Sequence, residues 1–404
     1  MKKGLLVIFA IILGYVAGYS QTLKTGVLVI GNGSNALGAG FQSANSGVKT
    51  TLIMETEDFD LRLPEGKQQR MASGLELRIL NRIRVNRGIK DSSNVELDQK
   101  SVNALIKVWA DSNKNLTIIR KSVWSKLKRS GRGWTLQLNN GQSLKAEMLV
   151  YAAAPEKLNE PLLSNKMEVT QWKTLDYNNL IYRTSVASSL GMNQSSANFI
   201  SLYDLLIPAE SSLVWLNPKQ ESIAAGQAAG ATAAYPVFFK LKGGSPNLKV
   251  IQGELINHRL SVMPFNDIMV TDSSWKAVQF IGLSGFLKGR LSKGELSFDP
   301  EQKVSTSEIK APIKEFYYKA QIWFDDYTAP EMTIGATLDL VCKVGNKAPV
   351  TTLAEVKKRW KTQYRLNTEF DSERSISRRE FAILLQEYLN PFNVNIDPTG
   401  RVIR

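Results

Sequence analysis

The residues best placed to do chemistry are Gly31, Gly33, Ser34, Ala36 and Glu55. Gly31 permits a tight turn out of a strand, and Gly33 lets the backbone come close to a pyrophosphate. The helix start at Ser34 and Ala36 would turn its free amides toward that anion. Glu55 falls where an acid can hydrogen-bond a ribose hydroxyl. Three elements must position these groups. Val27 to Ile30 reads as a short apolar strand, and Thr51 to Met54 reads as a second strand ending on the acid. Between them Ala36, Gly40 and Ala44 recur every four residues, a smooth stripe that lets a helix pack closely on a sheet. Together they predict a β-α-β unit of about thirty residues built to hold a dinucleotide.

Composition narrows the chemistry further. The chain has 404 residues, of which 43% are apolar, enough for two or three domains with real cores. Cys342 is the only cysteine, which excludes an intrachain disulfide and a cysteine metal cluster. His258 is the only histidine, which excludes ordinary zinc sites and most histidine-based triads, so no metal ligands are assigned. The formal charge of +14 is densest from Arg120 to Arg132, where basic and apolar residues alternate. That alternation predicts the exposed face of a strand hairpin rather than a nucleic-acid site. Anionic glycans or lipid head groups are the expected partners of the surplus.

Met1-Lys2-Lys3, the apolar run Leu5 to Val16 and the small residues Gly18-Tyr19-Ser20 read as a signal peptide over residues 1–20, with Gln21 the mature start. An uncleaved N-terminal anchor is the alternative. No other segment approaches a membrane-spanning length. The mature protein is expected to be exported and soluble, in the periplasm, at the cell surface or secreted.

Beyond Glu55 the sequence is polar and reads as helical, followed by helical periodicity from Val95 to Asp111 and a strand from Asn115 to Ile119. Ser122 to Leu127, Trp134 to Leu138 and Ser143 to Ala146 read as an antiparallel meander, and Glu147 to Ala153 as a buried strand. In this order the chain resembles the FAD-dependent oxidoreductase superfamily with a two-part flavin-binding Rossmann domain, most of all a secreted bacterial subgroup often labelled xanthan-lyase-like. The resemblance spans roughly residues 25 to 240. It implies FAD as cofactor, with Val123 beside adenine and Gly133 to Leu138 with Gly141 as the family's meander. Ala153 would stand at the strand end near the flavin. Gly226 and Ala229, in the Gly/Ala-rich stretch Ala224 to Ala231, would open the last flavin-binding helix.

Three family elements are missing. The Gly-Gly pair expected after the ribose acid is replaced by Glu55-Thr56-Glu57-Asp58-Phe59-Asp60. The element expected before the last helix reads Val214-Trp215-Leu216-Asn217-Pro218, and the Ala-Thr-Gly glycine gives way to Ala152-Ala153-Ala154-Pro155. The segment from Glu156 to Ile200 is also short for a substrate domain.

A second region runs from residue 246 to 404. Phe298 to Ile309 aligns without gaps to Phe370 to Phe381, sharing Phe-Asp, then Glu, then an apolar residue, Ser and Glu. Ser305 with Glu308, and Ser377 with Glu380, have capping-box spacing, and Val304 and Ile376 precede them as staple residues. A third, weaker copy begins at Phe324-Asp325 and continues through Met332-Thr333 to Leu338. Upstream lie Pro264 to Ile268 and a helix led by Trp275 that ends at Gly285. This pattern resembles S-layer homology modules, which implies a pseudo-trimeric helical unit binding cell-surface polysaccharide. An accessory helical layer is the other reading.

The expected fold is therefore α/β: an FAD/NAD(P)-binding Rossmann-like domain with a β-meander insertion over residues 21–245, then a mainly α-helical S-layer-homology-like domain over residues 246–404. The resemblance implies an exported FAD-dependent oxidoreductase moving a hydride between flavin and an unidentified small-molecule or glycan substrate. The alternative is a catalytically degenerate, surface-associated glycan-binding or scaffold protein that keeps the fold.

Overall fold

The computed structural model describes residues 22–89, 94–154, 170–190, 196–207, 210–241 and 246–403. The signal peptide expected over residues 1–20 lies outside them. Among the described residues no helix is long and apolar enough to cross a membrane.

β1 (Leu23–Ile30), α1 (Ser34–Asn45) and β2 (Thr50–Ile53) form the β-α-β unit. α2 (Lys67–Met71), α3 (Gly74–Asn86) and α4 (Gln99–Ser112) follow, then β3 (Leu116–Ile119). The stretch after Glu55 bends over residues 55–58 and then runs without helix to a turn at Gly66, rather than being helical throughout. Its backbone is instead held by long-range bonds, such as the Phe59 amide donating to Asn103 Oδ1 at 2.8 Å.

β4 (Trp124–Ser130), β5 (Gly133–Leu138) and β6 (Ser143–Tyr151) come next. A small antiparallel sheet is made by β7 (Lys173–Thr174), β8 (Ser185–Leu190) and β9 (Ala197–Ser201). α5 (Leu202–Leu205), β10 (Leu213–Trp215) and α6 (Ile223–Phe238) complete this part.

β3, β2, β1, β6 and β10 lie side by side and all parallel. A parallel sheet needs cover on both faces, which is why Thr50 to Ile53 are buried at every position. The third meander strand and the returning core strand, expected as two, are one strand. The first half of β6 pairs antiparallel with β5, and its last three residues pair parallel with β10. The pattern changes along β6 because the neighbour changes while the backbone continues.

The remaining chain is α7 (Leu248–Asn257), α8 (Trp275–Ser284), the hairpin β11 (Arg290–Ser292) with β12 (Glu295–Ser297), α9 (Thr306–Phe316), α10 (Ala320–Asp326), α11 (Ile334–Gly345), α12 (Pro349–Thr362) and α13 (Arg378–Tyr388). Both expected capping boxes form, on α9 and α13, with Ser and Glu bonded reciprocally. Thr333 caps α11 through the Ala336 amide.

The staple residues before these caps meet at one point. The Val304 amide donates to the Ile376 carbonyl at 3.1 Å, Ile376 to Met332 at 2.9 Å, and Met332 to Val304 at 3.0 Å. The three copies thus close a ring of backbone hydrogen bonds around a pseudo-threefold axis, and all three side chains are fully buried.

The expected boundary near residue 245 is crossed in both directions. Leu248, Ile251, Leu255, Leu260 and Ile396 pack into the core of the parallel sheet. Leu175, Tyr182, Ala197 and Phe199 pack into the core of the helical repeats, together with Trp275.

Candidate functional site

The site forms where β1 ends. Gly31 has φ of 154°, and a Cβ there would lie 2.7 Å from the Ala152 carbonyl oxygen at the end of β6. Only glycine passes between the two strand ends. Asn32 Oδ1 accepts from the Glu55 amide at 2.9 Å, which ties the first turn to the end of β2. The segment after Glu55 then folds back over the turn. The Asp60 amide donates to the Asn32 carbonyl at 2.9 Å, and the Arg62 amide donates to Ser34 Oγ at 2.9 Å.

Two cavities open here. One, of about 310 Å³, is lined by Gly31, Gly33, Glu55, Trp124 and Ala153, among others. The second, of about 280 Å³, is lined by Arg62, Glu76, Trp172, Asn198 and the start of α6 at Ser222 to Ala224. Glu221 lines both.

The α1 N-terminus is where an anion is favoured, through its free amides and the helix dipole. Here it receives the chain's own carboxylate. The Asn35 amide donates to Glu221 Oε2 at 2.6 Å. A Cβ on Gly33 would fall 2.6 Å from all three atoms of that carboxyl group. Asn35 also fixes the turn that carries Glu221, its Nδ2 donating to the Asn217 carbonyl at 3.1 Å and its Oδ1 accepting from the Ser222 amide at 3.0 Å. Burial pushes the Glu221 carboxyl up to about 7; the Asn35 amide opposes this and nearby Asp60 adds to it. Burial likewise pushes Glu76 up to about 7 against the pull of Arg62.

Of the residues singled out in the sequence, Gly31, Gly33, Glu55 and Ala153 line one cavity. Ser34 is buried, its Oγ accepting from the Arg62 amide, and Ala36 is buried behind Gly31. Val123 is half exposed, its carbonyl accepts from the Asn139 amide, and Trp124 stands in the cavity wall instead. Gly226 and Ala229 lie further along α6. A Cβ on Gly226 would run into the Asn35 carbonyl, and one on Gly38 into the Ile223 carbonyl, so these glycines let α1 and α6 touch backbone to backbone. Sequence reasoning missed Asn35, Glu221, Glu76 and Trp172. The local signal for Glu221 was an acid directly before a serine cap on a Gly/Ala-rich helix.

The sheet order and the glycine turn define the class: a mixed α/β protein with a Rossmann-like parallel core. No protein-family model matches the chain, and no curated protein matches it. Among solved structures it is similar to GidA from Aquifex aeolicus at 15% identity, over 32% of this chain and 25% of that one, with a TM-score of 0.25. It is similar to a flavoprotein/dehydrogenase from Cytophaga hutchinsonii at 11% identity, over 65% of this chain and 87% of that one, with a TM-score of 0.34. It is also similar to the OxyS anhydrotetracycline hydroxylase from Streptomyces rimosus at 12% identity, over 38% and 35%, with a TM-score of 0.29. The chain spans a quarter of the Aquifex protein's length. With partial likenesses of this size, the chemistry of the site follows from its own geometry.

Proposed function

We propose that the chain is an exported FAD-binding protein of oxidoreductase type, with the dinucleotide lying along Gly31, Gly33 and Glu55. The observation that carries this reading is the glycine turn at the ends of β1 and β6, which opens on a cavity walled by Glu55. The residues fit such a group. The cavity at Gly31 would take the adenosine end, with Glu55 accepting from a ribose hydroxyl. The second cavity would take the ring end, against Trp172 and the start of α6. Asn198 in that wall has a buried Oδ1 without a hydrogen-bond partner among the described residues, so an acceptor is available there. A pyrophosphate joining the two ends would take the position that the Glu221 carboxylate holds at the Asn35 amide.

Bound flavin would supply hydride chemistry. The chain itself orients and handles protons: Glu76 titrates near neutrality in the ring-side cavity and can hold or release a proton there. Glu221 on the α1 amide also favours the second reading, a degenerate relative that keeps the fold as a surface-associated scaffold. In either case the helical repeats are proposed to hold the protein on cell-surface polysaccharide.

Absorption spectra of the purified mature protein test the cofactor reading. A yellow protein, or a colourless one whose melting temperature rises with added FAD, supports it. Gly33→Asp should abolish that uptake. A colourless protein indifferent to FAD leaves only the scaffold reading, and co-sedimentation with cell-wall polysaccharide then tests the role of the repeats.

A further inference from the structure

Two facts about Glu221 are independent of each other. Its carboxylate takes the Asn35 amide and covers the face of Gly33, and its side chain forms the shared wall of the two cavities. A pyrophosphate joining ligands in those cavities needs the same amide and the same face. We infer that Glu221 is an internal competitor for the pyrophosphate position, so that dinucleotide binding must displace its carboxylate from the α1 terminus. This rests on the FAD reading above.

Charge then couples binding to pH. Asp60 faces Glu221 from the segment after β2, and Glu55 shares its adenosine-side cavity. Arg62 and Glu76 share the ring-side cavity, Lys219 sits in the same turn, and α1 carries no ionisable side chain. Three acids and one arginine therefore share the cavities with Glu221. A displaced carboxyl that stays in this half-buried wall beside a phosphate diester is held neutral, because two anions would otherwise meet there. Since the free carboxyl titrates at about 7, binding above neutrality takes up a proton. Affinity should fall as the pH rises.

The test measures FAD affinity from pH 6 to 9 for the wild type, Glu221→Gln and Glu221→Ala, with folding checked by circular dichroism. The diester pyrophosphate of FAD does not itself titrate in this range. Wild-type binding should weaken by about tenfold per pH unit above neutrality. Glu221→Gln, uncharged and of the same shape, should bind about tenfold more tightly at pH 8 and have a flatter profile than the wild type, keeping only the slope that Glu76 contributes to both proteins. Glu221→Ala should bind at least as tightly, and serves if the glutamine variant misfolds. Calorimetry at pH 8 in buffers of different ionisation heat should read about one more proton taken up by the wild type than by either variant. Equal affinities and parallel pH profiles in all three proteins would overturn the competitor role and leave FAD binding intact. No FAD binding by any of the three at any pH would instead remove the cofactor reading, and this inference with it.

Discussion

Arg378 reaches from the repeat that begins at Phe370 to the one that begins at Phe298 and donates to Glu308 Oε2 at 2.6 Å, while Oε1 of the same glutamate closes the capping box on Ser305. One carboxylate thus finishes a helix and ties two repeats together. Arg378 is almost fully buried and also donates to the carbonyls of Phe298 and Lys288, both at 2.7 Å. Arg378→Ala should therefore leave two carbonyls and a carboxylate without their donor. A loss of about 3–5 kcal/mol in chemical denaturation is expected. A loss below 1 kcal/mol would mean that water replaces the guanidinium.

The caps alone are worth less. Ser305→Ala and Ser377→Ala should each cost about 1 kcal/mol. Trp275→Ala, which removes a side chain only 1% exposed, should cost about 3–5 kcal/mol. Thermal denaturation of the three variants should preserve that order.

Gly226→Ala tests the α1–α6 contact. The added methyl group meets the α1 backbone at Asn35, Gly38 and Ala39, which side-chain rotation cannot relieve. A loss of about 1–3 kcal/mol is expected. FAD uptake, if lost, should be lost through movement of Asn35 and its partner Ser222. An unchanged melting temperature would show that the helices separate freely.

Glu76 makes stability depend on pH. Its folded pKa lies above its ordinary value, at about 7, so its ionisation opposes folding. Its contribution is fully present below about pH 4.5 and is lost as the pH rises through 7. Glu76→Gln should flatten that slope, by on the order of 2–4 kcal/mol between pH 4.5 and 8. Urea titrations of both proteins at several pH values check this, and parallel curves would contradict the assignment.

The interleaved cores predict that the two regions unfold as one cooperative unit. A chain cut at residue 245 should leave the repeats without Leu175, Tyr182, Ala197 and Phe199, and the sheet without Ile251 and Leu255. The full chain should unfold in a single transition, and a fragment of residues 246–404 should lack a sharp one. Two separate transitions in the full chain would restore the boundary.

The β-α-β unit was legible because its signals are local: strand, glycines, small-residue helix, second strand and acid stand in consecutive order. The repeats were legible for the same reason, through caps read within four residues. What escaped was set by distant pairing. Asn35 and Glu221 are 186 residues apart, and nothing local announces that they touch. The register of β4 is also set by its partner: pairing begins at Trp124 with Leu138, and it is Trp124, not its neighbour, that stands in the cavity. The return of Leu175, Tyr182, Ala197 and Phe199 into the repeat core is invisible to periodicity, which reports that a face is buried but not against what.

The backbone triangle of Val304, Met332 and Ile376 has a consequence for how this chain can evolve. Open solenoids gain and lose repeats at little cost, because each unit contacts only its neighbours. Here each copy gives one donor and receives at one acceptor, and three copies exhaust both. A fourth has nowhere to insert, and deletion of one strands an amide and a carbonyl away from water. Copy number is fixed by closure, so the sequence of the weakest copy is free to drift while its place in the triangle is not.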